Sequence, residues 1–111
     1  MVYFVATPIG NLKEITFRAV EVLKSVEAIF CEDTRHSRIL LNEYGISKPL
    51  YSYHKFNETQ SLDFVLSFVE GGKDIAVISD AGMPGINDPG NVLVNALKKR
   101  GYPCTVVSGP S

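Results

Sequence analysis

The amino-acid sequence predicts an α/β domain: a five-stranded, mostly parallel sheet with helices on both faces. Short apolar runs, typical of strands buried on both sides, alternate along the 111 residues with amphipathic patterns of helical period. Each helical stretch can carry the chain back across the sheet, and such crossovers are right-handed. Apolar residues make up 45% and charged residues 21% of the chain, a composition typical of one globular domain with a single core.

The five predicted strands are the apolar runs of the sequence. They cover residues 2–6, 28–31, 50–53, 74–79 and 103–107. Between the first two runs, Thr16 is a suitable N-cap for a helix, and Ala19, Leu23 and Val26 recur on one face of that helix. Such an apolar stripe indicates that the first helix packs on the sheet.

The second and third helices are marked by the residues at their ends. Residues 37–44 form a helical stretch that ends at Gly45, and glycine is favoured after a helix because it adopts positive φ angles without strain. Asn57, followed three residues later by Gln60, resembles a capping box. The apolar stripe that follows ends before Gly71. These signals predict one helix on each side of the third strand.

A glycine- and proline-rich loop, residues 79–90, separates the fourth strand from the fourth helix. Most connections in α/β units need only about 2–6 residues. A stiffened loop of this length at the carboxyl end of a strand therefore indicates a platform for a ligand. Asp88 and Pro89 form a good helix opening, an N-cap followed by proline, and Gly101 ends the helix.

Charge and cysteine content exclude several classes of protein. A net charge of −1 at pH 7 provides no general attraction to nucleic acid or to acidic membranes. No apolar run approaches the roughly 18 residues of a membrane span. Cys31 and Cys104 lie in strand-like runs and are expected to be buried thiols in a reducing cytoplasm. No zinc-binding spacing is present, so we expect no metal.

Two common nucleotide-binding motifs are missing, which narrows the class of ligand. No GxxxxGK[ST] run occurs, and residues 6–11, which follow the first strand, do not form GxGxxG. Binding through a phosphate-cradling loop is therefore disfavoured. A ligand with an adenine, a ribose and a charged amino-acid tail fits better, because main-chain carbonyls and an aspartate can bind it.

A polar cluster, Glu32, Asp33, Arg35 and His36, follows the second strand directly, at the ligand-bearing edge of the sheet. Glu32 or Asp33 is a candidate general base, and Arg35 is a candidate for bidentate binding of a phosphate or carboxylate. The alternative is that Asp33 or Thr34 caps the next helix and that Arg35 is solvated. Asp80 also has two interpretations: it contacts the ligand, or it accepts main-chain N–H bonds within its own loop.

The stretch from residue 35 to residue 55 is locally basic. It carries four Lys or Arg residues and two histidines against one acid, Glu43. Tyr51, Tyr53 and Phe56 interleave with these charges and offer faces on which unstacked bases could stack. The alternative is an ordinary solvated edge of the domain.

Four motifs occur in order along the chain. They are ATPIGNL at 6–12, CEDTRHS at 31–37, SYHKFNE at 52–58 and SDAGMPGI at 79–86. On these motifs the chain resembles the N-terminal domain of the ribosomal RNA small subunit methyltransferase I family, a branch of the tetrapyrrole (corrin/porphyrin) methylase superfamily. The resemblance implies that residues 1–108 form the N-terminal α/β domain of a two-domain enzyme. Residues 109–111 would then begin the linker to a C-terminal domain.

The resemblance implies S-adenosyl-L-methionine-dependent 2′-O-methylation of a cytidine in 16S rRNA, in the cytoplasm. The partner is then the 16S rRNA or the small ribosomal subunit, and a homodimer of the full-length protein is left open. The expected catalytic residues are Glu32, Asp33 and Arg35. The expected cofactor-binding residues are Pro8, Gly10, Ser79, Asp80, Ala81, Gly82, Pro84 and Ile86. The expected substrate-binding residues are Arg35, His36, Arg38, Tyr53 and His54.

Two other functions remain open at this point. One is C-methylation of a tetrapyrrole by a relative that shares the fold and the cofactor loop. The other is a non-catalytic, flavodoxin-like binding domain without affinity for S-adenosylmethionine. If the cofactor lies between two domains, residues 1–111 alone should bind it weakly and transfer no methyl group at a useful rate.

Overall fold

The computed structural model describes residues 1–6, 15–53, 58–79 and 92–107. This part of the chain contains the five strands and four helices that the sequence predicts. In chain order they are β1 (Val2–Ala6), α1 (Phe17–Ser25), β2 (Ala28–Cys31), α2 (Thr34–Glu43), β3 (Leu50–Ser52), α3 (Glu58–Glu70), β4 (Ile75–Ser79), α4 (Val92–Arg100) and β5 (Cys104–Val107). Every strand pair is parallel, which confirms the α/β class.

The strands lie in the order β3-β2-β4-β1-β5. The chain moves from β1 to β2 and β3 in one direction across the sheet, and then returns through β4 to β5 in the other. Because right-handed crossovers place each helix according to that direction, α1 and α2 cover one face and α3 and α4 cover the other. The two core clusters agree with this arrangement: one joins α1 to α2, and the other joins α3 to α4.

Side chains of each strand alternate between the two faces of the sheet. In β1, Val2 and Phe4 belong to the core on the α3/α4 face, whereas Val5 belongs to the core on the α1/α2 face. In β2, Ile29 and Phe30 divide in the same way, and both are fully buried. Strands buried on both sides read as continuous apolar runs, which is why the sequence predicted them correctly.

The helix ends confirm several of the predicted caps. The Thr16 hydroxyl oxygen accepts a hydrogen bond from the Ala19 N–H at 3.1 Å, as expected of an N-cap. Helix α2 begins at Thr34, earlier than the predicted residue 37, because Asp33 caps it. Gly45 ends α2 with a φ of 67°, in the left-handed region that glycine tolerates.

The strand order keeps the two cysteines apart. Cys31 on β2 is buried and Cys104 on β5 is half-buried, and β4 and β1 lie between these strands. Strands spaced by about 4.8 Å put the two residues on the order of 14 Å apart, beyond the roughly 7 Å that a disulfide can span. Among the described helices, none is long and apolar enough to cross a membrane.

Candidate functional site

The carboxyl ends of β1 and β4 lie side by side at one edge of the sheet. These strands are neighbours, and Ala6, the last residue of β1, is the register partner of Ser79, the last residue of β4. The chain leaves β1 toward α1 on one face and leaves β4 toward α4 on the other. These two connections cover opposite faces of the sheet, and such an arrangement predicts a ligand-binding crevice beyond the carboxyl ends of the strands.

Most of the predicted cofactor-binding residues lie outside the described residues. These are Pro8, Gly10, Asp80, Ala81, Gly82, Pro84 and Ile86. Ser79 is described by its backbone, which ends β4 at the carboxyl edge of the sheet. The two strand ends from which the predicted cofactor loops continue are therefore neighbours, although the loops are far apart in sequence.

Asp33, a predicted catalytic residue, caps helix α2. Its Oδ1 accepts hydrogen bonds from the N–H of Arg35 at 3.0 Å and of His36 at 3.3 Å. The carboxylate therefore satisfies two main-chain donors that a helix start leaves without intrahelical partners. Proton transfer at this carboxylate would compete with the cap, which favours the structural interpretation of Asp33.

Glu32 is exposed at the end of β2 and takes no part in the α2 cap. Its carboxylate is therefore the better placed of the two candidate bases. Arg35 and Arg38 are exposed on α2, one turn apart, so they lie on the same side of the helix. His36 is half-buried. The structure thus brings the predicted polar cluster together at the start of α2, at the carboxyl edge of the sheet.

Ser37 is a polar residue of this region that the sequence analysis did not single out. It is 2% exposed on the inner side of α2, together with Leu40 and Leu41. Its hydroxyl has no hydrogen-bond partner in the described part of the chain. A buried hydroxyl without a partner destabilises the fold, so Ser37 is a residue whose role has to be explained. The sequence does carry a sign of this residue: a serine occupies a position that the apolar stripe of the second helix assigns to the core.

Tyr53, a predicted substrate-binding residue, is buried. It is 9% exposed, belongs to the core on the α3/α4 face, and donates its backbone N–H to the Cys31 carbonyl at 2.7 Å. A ring in this position offers little surface to an unstacked base, which argues against the stacking role. His54 and Phe56, the neighbouring candidates, lie outside the described residues.

Within the described residues, the arginines and the tyrosines of the stretch from residue 35 to residue 55 do not form one surface. Tyr51 lies on the α3/α4 face, where its ring centroid is 5.4 Å from that of Phe30 and 4.9 Å from that of Phe64. Helix α2, which carries the arginines, covers the opposite face. The sheet therefore separates the two arginines from the two tyrosines, because α2 packs on one face and both rings belong to the core on the other.

The family model of the Tetrapyrrole (Corrin/Porphyrin) Methylases matches residues 1–111. The chain belongs to the tetrapyrrole methylase family. The resemblance predicted from the four motifs is thereby confirmed at the level of the family.

This tetrapyrrole methylase domain is similar to curated proteins named ribosomal RNA small subunit methyltransferase I. It is 56% identical over 110 residues to the one from Mycoplasmopsis pulmonis, covering 99% of this chain and 50% of that protein. The match to the Thermotoga maritima protein is 46% over 107 residues, covering 96% and 48%. The match to the Escherichia coli O157:H7 protein is 46% over 108 residues, covering 97% and 38%. The chain spans about half the length of the curated relatives it matches, or less.

Two solved methyltransferases share the fold of the tetrapyrrole methylase domain. One is uroporphyrin-III-C-methyltransferase from Thermus thermophilus, with a TM-score of 0.71 and 20% identity. The other is a cobalt precorrin-4 methyltransferase, with a TM-score of 0.78 and 16% identity. Each match covers 99% of this chain and 46% of the other. At these identities the similarity shows the fold alone.

Proposed function

We propose that this chain is the N-terminal domain of an S-adenosylmethionine-dependent methyltransferase that methylates the 2′-hydroxyl of a cytidine in 16S rRNA. The proposed substrate is supported by a difference in sequence identity between two groups of similar proteins. The chain is 56% identical to a protein named for the small-subunit rRNA and only 16–20% identical to the two tetrapyrrole methyltransferases of the same fold. A ribosomal substrate also implies a cytoplasmic location.

The crevice at the ends of β1 and β4 is the proposed wall of the cofactor site. One observation supports a site at this edge: the connections after Ala6 and Ser79 cover opposite faces of the sheet. Pro8, Gly10 and residues 79–86 would hold the cofactor from the two loops. When bound, S-adenosylmethionine supplies an electrophilic methyl group on a sulfonium.

The residues at the start of α2 have the chemistry to hold an RNA substrate and to move its proton. A ribose hydroxyl is a poor nucleophile, so a base within about 2.6–3.2 Å, or acting through one water, must accept its proton. We assign this role to Glu32, with Asp33 positioning the helix. Arg35 and Arg38 bind phosphates of the RNA through bidentate hydrogen bonds. His36 and His54 remain candidate substrate contacts.

A tetrapyrrole is the second candidate substrate, because the fold is shared with two tetrapyrrole methyltransferases at TM-scores of 0.71 and 0.78. The two functions predict different acceptors. An rRNA methyltransferase needs the small ribosomal subunit or its RNA. A tetrapyrrole methyltransferase needs a large acidic macrocycle and is indifferent to RNA.

The test uses the full-length protein that contains this chain, with S-adenosylmethionine carrying a radiolabelled methyl group. Assembled small ribosomal subunits and a uroporphyrinogen-type macrocycle are offered as acceptors in parallel. The proposal predicts label in the rRNA, recovered after nuclease digestion as 2′-O-methylcytidine. Label confined to the macrocycle would replace the proposed function by the second candidate. No label in either acceptor, in a protein shown to bind S-adenosylmethionine, would reject both.

A further inference from the structure

Phe17 is an aromatic residue displayed almost completely to solvent. It is 81% exposed, the largest exposure among the large apolar side chains of the described residues. It is the first residue of α1, and the cap holds its backbone in place: Thr16 accepts hydrogen bonds from the N–H groups of Ala19 and Val20, each at 3.1 Å. The ring therefore projects from a fixed turn. Contact with a partner would remove this apolar surface from water, and Phe17 is therefore a candidate contact residue.

Three guanidinium groups share this part of the surface. Arg18 follows Phe17 and is exposed, and Arg35 and Arg38 are exposed on the first turns of α2. Helices α1 and α2 lie side by side on one face of the sheet, since both pack on the same core. Both begin at the carboxyl edge, because each follows a parallel strand. The topology thus places Phe17 and the three arginines on one face of the sheet, toward its carboxyl edge.

Among the described residues, three carboxylates share this region with the three arginines. Asp33 accepts hydrogen bonds in the α2 cap, Glu32 lies at the end of β2, and Glu21 lies one turn further along α1. Because the chain has a net charge of −1 and these six charges balance, the arginines would act as individual phosphate contacts and not as a positive patch.

We propose that Phe17 stacks on an unpaired base of single-stranded RNA while Arg18, Arg35 and Arg38 bind the flanking phosphates. This inference rests on the proposed function and adds a stacking residue to it. Unpaired bases present flat faces that aromatic rings recognise with little dependence on sequence. A protein covering the same region would have to bury three guanidinium groups and pair each one, whereas phosphates pair with them without burial.

The proposal is tested on the full-length protein with two substitutions at one position and one control. Phe17→Leu removes the flat ring but keeps an apolar side chain, and Phe17→Tyr keeps the ring. Phe64→Leu is the matched control, because Phe64 is also partly exposed, at 44%, but lies on the opposite face. The probe is a fluorescein-labelled single-stranded oligocytidylate, with a duplex RNA of the same length as a second probe.

We expect Phe17→Leu to weaken binding of the single strand about fivefold or more, the effect of losing one base stack. Phe17→Tyr and the control should bind like the wild type, and the duplex should show no dependence on residue 17. With small ribosomal subunits, Phe17→Leu should raise KM and leave kcat unchanged.

Other outcomes overturn the inference, and they are distinguishable from failure of the proposed function. If Phe17→Leu lowers the thermal midpoint without weakening RNA binding, the ring packs against the rest of the protein or a second copy. If the wild type methylates subunits and Phe17→Leu does so with the same KM, the stacking proposal fails alone. If Phe17 governs RNA binding but subunits are not methylated, the proposed function fails alone. If the wild type neither binds nor methylates RNA, both are wrong.

Discussion

Ala6 and Ser79 are register partners at the carboxyl ends of β1 and β4, where the proposed cofactor crevice would lie. They belong to two motifs that are far apart in sequence, and the pairing brings the motifs to one place. Ala6 is 7% exposed, so its side chain is buried and has little room around it.

A larger side chain at residue 6 should obstruct the crevice. Ala6→Leu is expected to cost about 1–3 kcal/mol of stability through overpacking, and also to weaken binding of S-adenosylhomocysteine by the full-length protein. Calorimetric titration and thermal unfolding measure the two effects. Ala76→Leu is the matched control, because Ala76 is fully buried within β4, away from its carboxyl end. Equal losses of affinity in both variants would show that the effect is only one of stability.

Substitutions of Asp33 separate its capping role from a catalytic one. Asp33→Ala should lower the free energy of unfolding by about 1 kcal/mol, because two N–H groups of α2 lose their acceptor. Asp33→Asn retains an acceptor oxygen and should keep most of that stability. Urea unfolding measures both, alongside methyl transfer by the full-length protein. An Asn variant that is stable and still active confirms the cap; a stable Asn variant without activity would instead make Asp33 catalytic.

Glu32→Gln should lower the rate of methyl transfer and leave the stability unchanged, whereas Asp33→Ala should lower the stability. Loss of a general base is expected to lower kcat by about 10²–10⁴-fold. The free energy of unfolding should change little, because Glu32 is exposed and outside the cap. The measurement is the single-turnover rate with saturating cofactor and RNA. Arg18→Gln, which changes another exposed charge in this region, should affect RNA affinity rather than the rate. An unchanged rate in Glu32→Gln would exclude Glu32 as the base.

Ser37→Ala should stabilise the domain or leave its stability unchanged, although Ser37 is almost completely buried. A buried hydroxyl without a partner costs about 1–3 kcal/mol, and alanine removes the hydroxyl at the price of a small change in volume. Urea unfolding without ligand measures the effect. The same variant should gain less thermal stability than the wild type from S-adenosylhomocysteine if the hydroxyl contacts the ligand. A marked loss of stability without ligand would show that the hydroxyl has a partner in the fold.

Much of the fold could be predicted from the sequence because its signals are local. Capping by Thr16 and the positive φ of Gly45 depend on residues within one or two turns, and both were predicted correctly. The start of α2 was predicted too late, because the favourable cap at Asp33 was weighed as one of two alternatives. The motifs predicted which residues follow the carboxyl ends of the strands, but not which of them are buried, and the roles of the site residues stay predictions.

The sequence by itself determined the five strands, the four helices and the family, since apolar periodicity, caps and motifs depend only on residues that are close together in the sequence. Only the tertiary structure decided that β4 lies between β2 and β1, that Tyr53 is buried, and that Tyr51 and Arg38 lie on opposite faces. These outcomes depend on pairings between distant strands and on the direction of each crossover. A strand buried on both faces has the same apolar pattern whichever neighbours it pairs with, so its sequence does not specify its place in the sheet.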